Sequence, residues 1–139
     1  MAKRDYSHVP LWRKLGIREG ARVALAGAPA TLRDSLGALP AGVELLEAPV
    51  ADSDVILWFP ASAAELASGL APLKASLRYD GGLWVAWPKG ASKVPTELDF
   101  ALVQRAGLDA GLVDNKGCSI DQVFSGLRFV YRRADRPPR

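Results

Sequence analysis

The sequence predicts a three-layer α/β fold: a mostly parallel sheet of about six strands, helices on both faces, and an antiparallel hairpin at the carboxyl end. Three observations predict it. Short apolar runs bounded by charged residues or glycine recur along the chain, as strands buried on both faces require. Three of these runs are followed by a Ser or Thr with an acid three residues on, a helix-start signature. After Gly107 the pattern changes to two strand runs separated by a few residues around DQVF, which reads as a hairpin.

Taken in order, VPLWRKLGI reads as one or two helical turns, with Pro10 early and Gly16 late. RVALAGA (22–28) is the first buried strand. In TLRDSLGALP, Leu32, Leu36 and Leu39 form one helical stripe headed by Thr31 and Asp34. VELLEA (43–48) is a strand whose link to the next, DVILWFP (54–60), is too short for a helical crossover, so an extended return is required. SAAELASGLAPLKASL carries Leu66, Leu70, Leu73 and Leu77 on one line behind Ser62 and Glu65. Pro72 is expected to kink or split that helix near Gly69–Pro72, at about 3 kcal/mol if it were continuous. GLWVAWP (82–88) is the next strand, and TELDFALVQRAG the next helix, headed by Thr96 and Asp99 with Gly107 as its C′ residue. GLVDNKGCSI and SGLRFVYRR close the sheet.

The chain has 139 residues, 49% of them apolar and 24% charged, which fits one soluble domain over 1–132. A flexible arm is expected at 1–9 and a basic disordered tail at 133–139. No run approaches the roughly 18 apolar residues of a spanning helix, and no membrane association is expected. Of the net charge of +3, residues 1–22 contribute +4 and residues 128–139 another +4, so the middle is mildly acidic at −5. A broad nucleic-acid face is therefore not supported.

One cysteine, Cys118, and one histidine, His8, leave no soft-ligand set for a metal and no Ser-His-Asp or Cys-His apparatus unless His8 folds back over the site. No metal and no catalytic residue is assigned. Cys118, on a strand, reads as a small buried hydrophobe.

In an open α/β sheet, ligands sit beyond the carboxyl ends of the strands, which selects loops 27–31, 47–52, 60–62, 88–96 and 119–126. Gly27 and Ala28 form either a tight strand-to-helix turn or an anion cradle. Glu47 is either a surface acid or a carboxylate placed for ribose hydroxyls. Lys89 and Lys93 have no acid between them and Glu97; they either meet an anionic ligand or keep a long loop soluble. Trp87 ends its strand, in the core or half exposed on the rim. Asp121 and Ser125 lie at the same edge, as hairpin-turn residues or as a base and its neighbour.

VPLWRKLGI, GLWVAWPKGASKVPTEL and LVDNKGCSIDQVFSGLRFVYR resemble the hallmark segments of a small bacterial family catalogued as domain of unknown function 3052, over about Ser7 to Arg132. The resemblance implies a cytoplasmic protein of unassigned activity. The strand order also resembles a shortened class I methyltransferase domain, Rossmann-like with a closing hairpin. That resemblance implies S-adenosylmethionine as cofactor, with Glu47 at the position of the carboxylate that ends the second strand. GAPAT lacks the glycine-rich first loop, and WFPASAAEL lacks the polar-proline-proline-aromatic motif of amino-methylating enzymes, so no cofactor is expected. The sequence thus predicts a non-catalytic domain that binds a small anionic ligand or a protein partner at the carboxyl edge of its sheet. The alternative is a small transferase using S-adenosylmethionine or a nucleotide. Self-association stays open.

Overall fold

The computed structural model of the chain describes residues 9–48 and 50–137. The first strand, β1 (Arg22–Ala26), buries Val23, Ala24 and Leu25 because both of its faces are covered. β2 (Glu44–Leu46) and β3 (Ser53–Trp58) flank it, each parallel to it. β4 (Leu77–Pro88) continues the sheet parallel to β3. β5 (Leu112–Ser119) and β6 (Phe124–Tyr131) form an antiparallel hairpin, and β6 also lies antiparallel to β4. The sheet order is β2-β1-β3-β4-β6-β5.

The short link 47–52 is feasible because of register. Leu46 and Ile56 both stand opposite Ala24, so the chain steps back only three residues to start β3 at Ser53. That is roughly 10 Å along the strands and about 10 Å across β1, within reach of six extended residues.

α1 (Leu11–Lys14) and α2 (Leu32–Leu36) cover one face, where Leu15, Leu32 and Leu36 meet Val23, Leu57 and Trp84. α3 (Ala63–Ser76) and α4 (Phe100–Asp109) cover the other, where Leu66, Leu70 and Val103 meet Ile56, Val85 and Phe129. The alternation of Ile56 and Leu57 between the two cores is the period-2 pattern of a strand buried on both sides. β1 leads through α2 to its neighbour on one side, and β3 leads through α3 to its neighbour on the other. The strand order therefore reverses between β1 and β3.

Several local expectations are corrected. Thr31 does not cap α2: it is itself helical (φ −76°, ψ −10°) and its hydroxyl makes no cap bond, while the chain enters the helix through a turn from the Pro29 carbonyl to the Leu32 amide. The helix stops at Gly37 (φ +85°), leaving Leu39 outside it, partly buried. Only the Ser62 cap holds as expected, its Oγ accepting from the Glu65 amide at 3.1 Å, although the Glu65 carboxylate accepts from Ala61 rather than Ser62. For α4 the cap is Asp99, which accepts from the Leu102 amide at 2.8 Å; Thr96 instead holds the Leu98 amide in the preceding turn.

Gly107 is inside α4, not past its end. A Cβ there would lie 2.0 Å from Cε1 of Phe129, so glycine is present for close helix–sheet packing, and Gly111 (φ +88°) follows the helix instead. Pro72 does not split α3, which runs unbroken through it. Pro72 and Ser68 are both exposed, so the carbonyl that loses its amide partner faces water. Leu77 begins β4 rather than ending α3. The expected tail is ordered at its start: Arg133–Asp135 form a 3-10 turn and the Arg136 guanidinium folds back to donate to the Tyr131 carbonyl at 3.0 Å. The expected arm, apart from Val9, and His8 with it, lie outside the described residues.

Candidate functional site

The registers bring the predicted loops to one rim. Ala26 stands beside Trp58, Trp58 beside Val85, Pro88 opposite Phe124 and Ser119 opposite Ser125. Gly27, Glu47, Lys89 and Asp121 therefore leave the sheet at its carboxyl edge, in two separate groups.

The first group is Gly27, Ala28 and Glu47, which line a cavity of about 370 Å³ with Pro29, Ala30 and Arg33. Gly27 has φ +66°, and a Cβ on it would lie 2.9 Å from the Phe59 carbonyl oxygen, so the turn requires glycine. One oxygen of the exposed Glu47 carboxylate is engaged: Arg33 Nη2, from α2, donates to its Oε1 at 2.9 Å. The Phe59 amide bonds the Ala26 carbonyl at 2.9 Å, carrying the β1–β3 ladder past the strand ends. The Phe59 ring is buried and meets Phe124 edge-on at 4.9 Å.

In the second group, the Lys89 amide donates to the Val123 carbonyl at 2.7 Å and its Nζ donates to Ser119 Oγ at 2.6 Å, fixing the loop after β4 onto the closing hairpin. Asp121 takes the turn role: its Oδ1 accepts from the amides of Val123 at 2.8 Å and Phe124 at 2.7 Å. Ser125 stands between Trp87 and Ser119 in the sheet. Trp87 is not on the rim. Only 8% exposed, it packs in the core under α4, its ring 6.3 Å from that of Phe100. Lys93 (φ +58°) is exposed at the end of the Gly90–Ser92 3-10 turn, its amide donating to the Gly90 carbonyl and its ammonium without a hydrogen bond or ion pair among the described residues. Glu97, the nearest acid in sequence, is drawn away to accept from the Ala63 amide at the start of α3.

Cys118 is half buried rather than fully buried. Burial pushes its thiol above the ordinary range, although Lys116, Lys14 and Lys89 pull it down. Sequence reasoning missed Arg33, Phe59 and Ser119. Arg33 is the sole base of α2, a signal that was present; Phe59 and Ser119 matter only through partners distant in sequence. Chemically, the rim offers ammonium groups that can hold an anion, while Asp121 holds two amides through its Oδ1.

No family model matches the sequence, and no curated protein matches it. Solved structures do. A protein assigned as a type 11 methyltransferase from Sulfolobus solfataricus aligns over 99% of this chain and 98% of its own, at 13% identity and a TM-score of 0.65. An S-adenosylmethionine-dependent methyltransferase from Aquifex aeolicus aligns over 86% of each chain at 15% identity and a TM-score of 0.57. A TehB-like S-adenosylmethionine-dependent methyltransferase from Corynebacterium glutamicum aligns over 88% of this chain and 85% of its own, at 14% identity and a TM-score of 0.55. At such identities the likeness shows the fold, which is Rossmann-like and of the class I methyltransferase type. No helix among the described residues is long and apolar enough to cross a membrane.

Proposed function

We propose that this domain uses the methyltransferase-like fold as a non-catalytic binding module, taking a small anionic ligand at the carboxyl edge of the sheet beside Lys89. Membership of the small bacterial family its hallmark segments resemble, and a place in the cytoplasm, belong to the same reading. The observation that carries it is the Phe59 amide bond to the Ala26 carbonyl, which keeps β1 and β3 paired past the end of β3, where an open α/β sheet ordinarily takes its cofactor. The Arg33–Glu47 pair supports it by engaging one oxygen of the carboxylate. Lys89 supports it by standing at the rim with no carboxylate partner among the described residues.

A second reading, a small transferase using S-adenosylmethionine or a nucleotide, is favoured by the cavity over Gly27 and Glu47 and by the activities of the structural neighbours. Thermal denaturation separates the two. A ligand at a hundred times its dissociation constant adds about 2.7 kcal/mol of stability. Acyl phosphates or nucleotides are expected to raise the midpoint in the native chain and not in Lys89→Ala. A rise with S-adenosylmethionine that Glu47→Ala abolishes, or methyl turnover, would favour the transferase. Silence across the panel would point to a protein partner.

A further inference from the structure

A cavity of about 590 Å³ lies along the outer strand β5, against α1 and away from the crevice between β1 and β3. This size is in the range of small-molecule sites. Its lining divides by chemistry. Val9, Gly117 and Cys118 supply apolar and backbone surface, and Arg13, Lys14 and Lys116 supply three cations. None of its described lining residues is an acid. The remaining one, Ser119, is the residue whose hydroxyl receives the Lys89 ammonium at 2.6 Å, so a fourth cation borders the cleft.

The arrangement is built rather than incidental. The carbonyls at the end of α1 are taken by two donors from the sheet, Lys116 Nζ to Lys14 at 3.1 Å and Trp84 Nε1 to Leu15 at 3.0 Å. These bonds tie α1 to the strands and hold the Lys116 ammonium at the cleft. Nothing in the packing demands glycine at 117: a Cβ there would meet only ordinary contacts, the nearest at 3.7 Å. Glycine at that position leaves the floor low. Cations gathered around a partly desolvated apolar floor repel one another, and no described carboxylate in the lining offsets this.

We propose that this cleft binds an organic anion with a ring-sized apolar body, the anionic head among Lys14, Lys116 and Arg13 and the body against Val9, Gly117 and Cys118. The proposal goes beyond the carboxyl-edge reading and stands independently of it, the two sites meeting only at the Ser119–Lys89 contact.

Cys118 is the single cysteine of the chain and lines the cleft, so its alkylation reports on the site directly. In the full-length native protein at low salt, the ratio of the iodoacetate rate to the iodoacetamide rate is expected to be at least about threefold above the same ratio for the urea-unfolded chain, since a cationic cleft concentrates the anionic reagent. The excess should vanish in 1 M salt and in Lys116→Ala; if that variant fails to fold, the salt series alone decides. Phenyl phosphate should slow the iodoacetamide reaction more than equal inorganic phosphate does, and benzyl alcohol should not slow it. A ratio no higher than that of the unfolded chain overturns the proposal, as does equal protection by phenyl phosphate and inorganic phosphate. A silent thermal panel with a raised ratio counts against the Lys89 reading and leaves the cleft; a flat ratio with a Lys89-dependent thermal shift does the reverse.

Discussion

The guanidinium of Arg33 donates to the carboxylate of Glu47 at 2.9 Å, joining α2 to the residue that follows β2 across the mouth of the first cavity. Both side chains are substantially exposed, 48% and 77%, so the pair is screened. A double-mutant cycle with Arg33→Ala and Glu47→Ala, read by urea unfolding, is expected to give a coupling of about 0.2–1 kcal/mol. A larger value would mean that the pair organises the loop rather than merely engaging one oxygen of the carboxylate.

Gly107 and Phe129 are in contact at the helix–sheet interface, with no room for a methyl group. Alanine has a helix propensity about 1 kcal/mol better than glycine, yet Gly107→Ala is expected to destabilise by about 1–3 kcal/mol through overpacking. Gly69→Ala should behave alike, because a Cβ there would lie 2.4 Å from Cζ2 of Trp58. A stabilised Gly107→Ala in urea unfolding would show that the Phe129 ring moves aside freely.

Trp84 is fully buried and its indole donates to the Leu15 carbonyl, anchoring α1. Trp84→Phe leaves that carbonyl without its partner as well as a void, and is expected to cost about 1–3 kcal/mol. Amide exchange in residues 11–17 should accelerate more than exchange in β1. Uniform acceleration across both would indicate global rather than local loosening.

Phe59→Ala removes a buried ring that meets Phe124 edge-on. Its burial predicts a loss of about 3–5 kcal/mol. Phe124→Ala, at the half-buried partner of the aromatic pair, should cost less. Equal losses in urea unfolding would show that the two rings act as one unit.

Burial raises the thiol of Cys118 and the phenol of Tyr131, with Tyr79 adding to the second, and the Tyr131 hydroxyl donates to the Lys74 carbonyl. Both groups are acids that the folded state keeps protonated. Stability is therefore full below the ordinary thiol value of about 8.5 and falls as pH rises through the thiol and then the phenol range near 10, up to the raised folded values. The urea midpoint should hold between about pH 7 and 8 and decline above, with the earlier part of the decline absent in Cys118→Ala. A flat profile to pH 11 would contradict both shifts.

The sheet, its two helical layers and the closing hairpin were legible because their signals are local: apolar runs of strand length, leucines at helical spacing, turn residues between GLVDNKGCSI and SGLRFVYRR. The carboxyl rim followed from topology alone, and it gathers Gly27, Glu47, Lys89 and Asp121 as expected. Helix ends were less legible. Thr31, Thr96 and Gly107 each fit a local motif, but the first lies within a turn, the second holds a different amide, and the third packs against Phe129.

By itself, then, the sequence determined the fold class, the strand order in outline and which loops share the carboxyl edge, since periodicity and turn chemistry depend on neighbours a few residues apart. The tertiary structure decided which rim residues are available. Arg33 takes Glu47 from fourteen positions away, Lys89 reaches Ser119 across thirty, and Trp84 finds Leu15 across sixty-nine. Pairings at such separations are set by how two faces of a sheet are covered, and no local pattern encodes them.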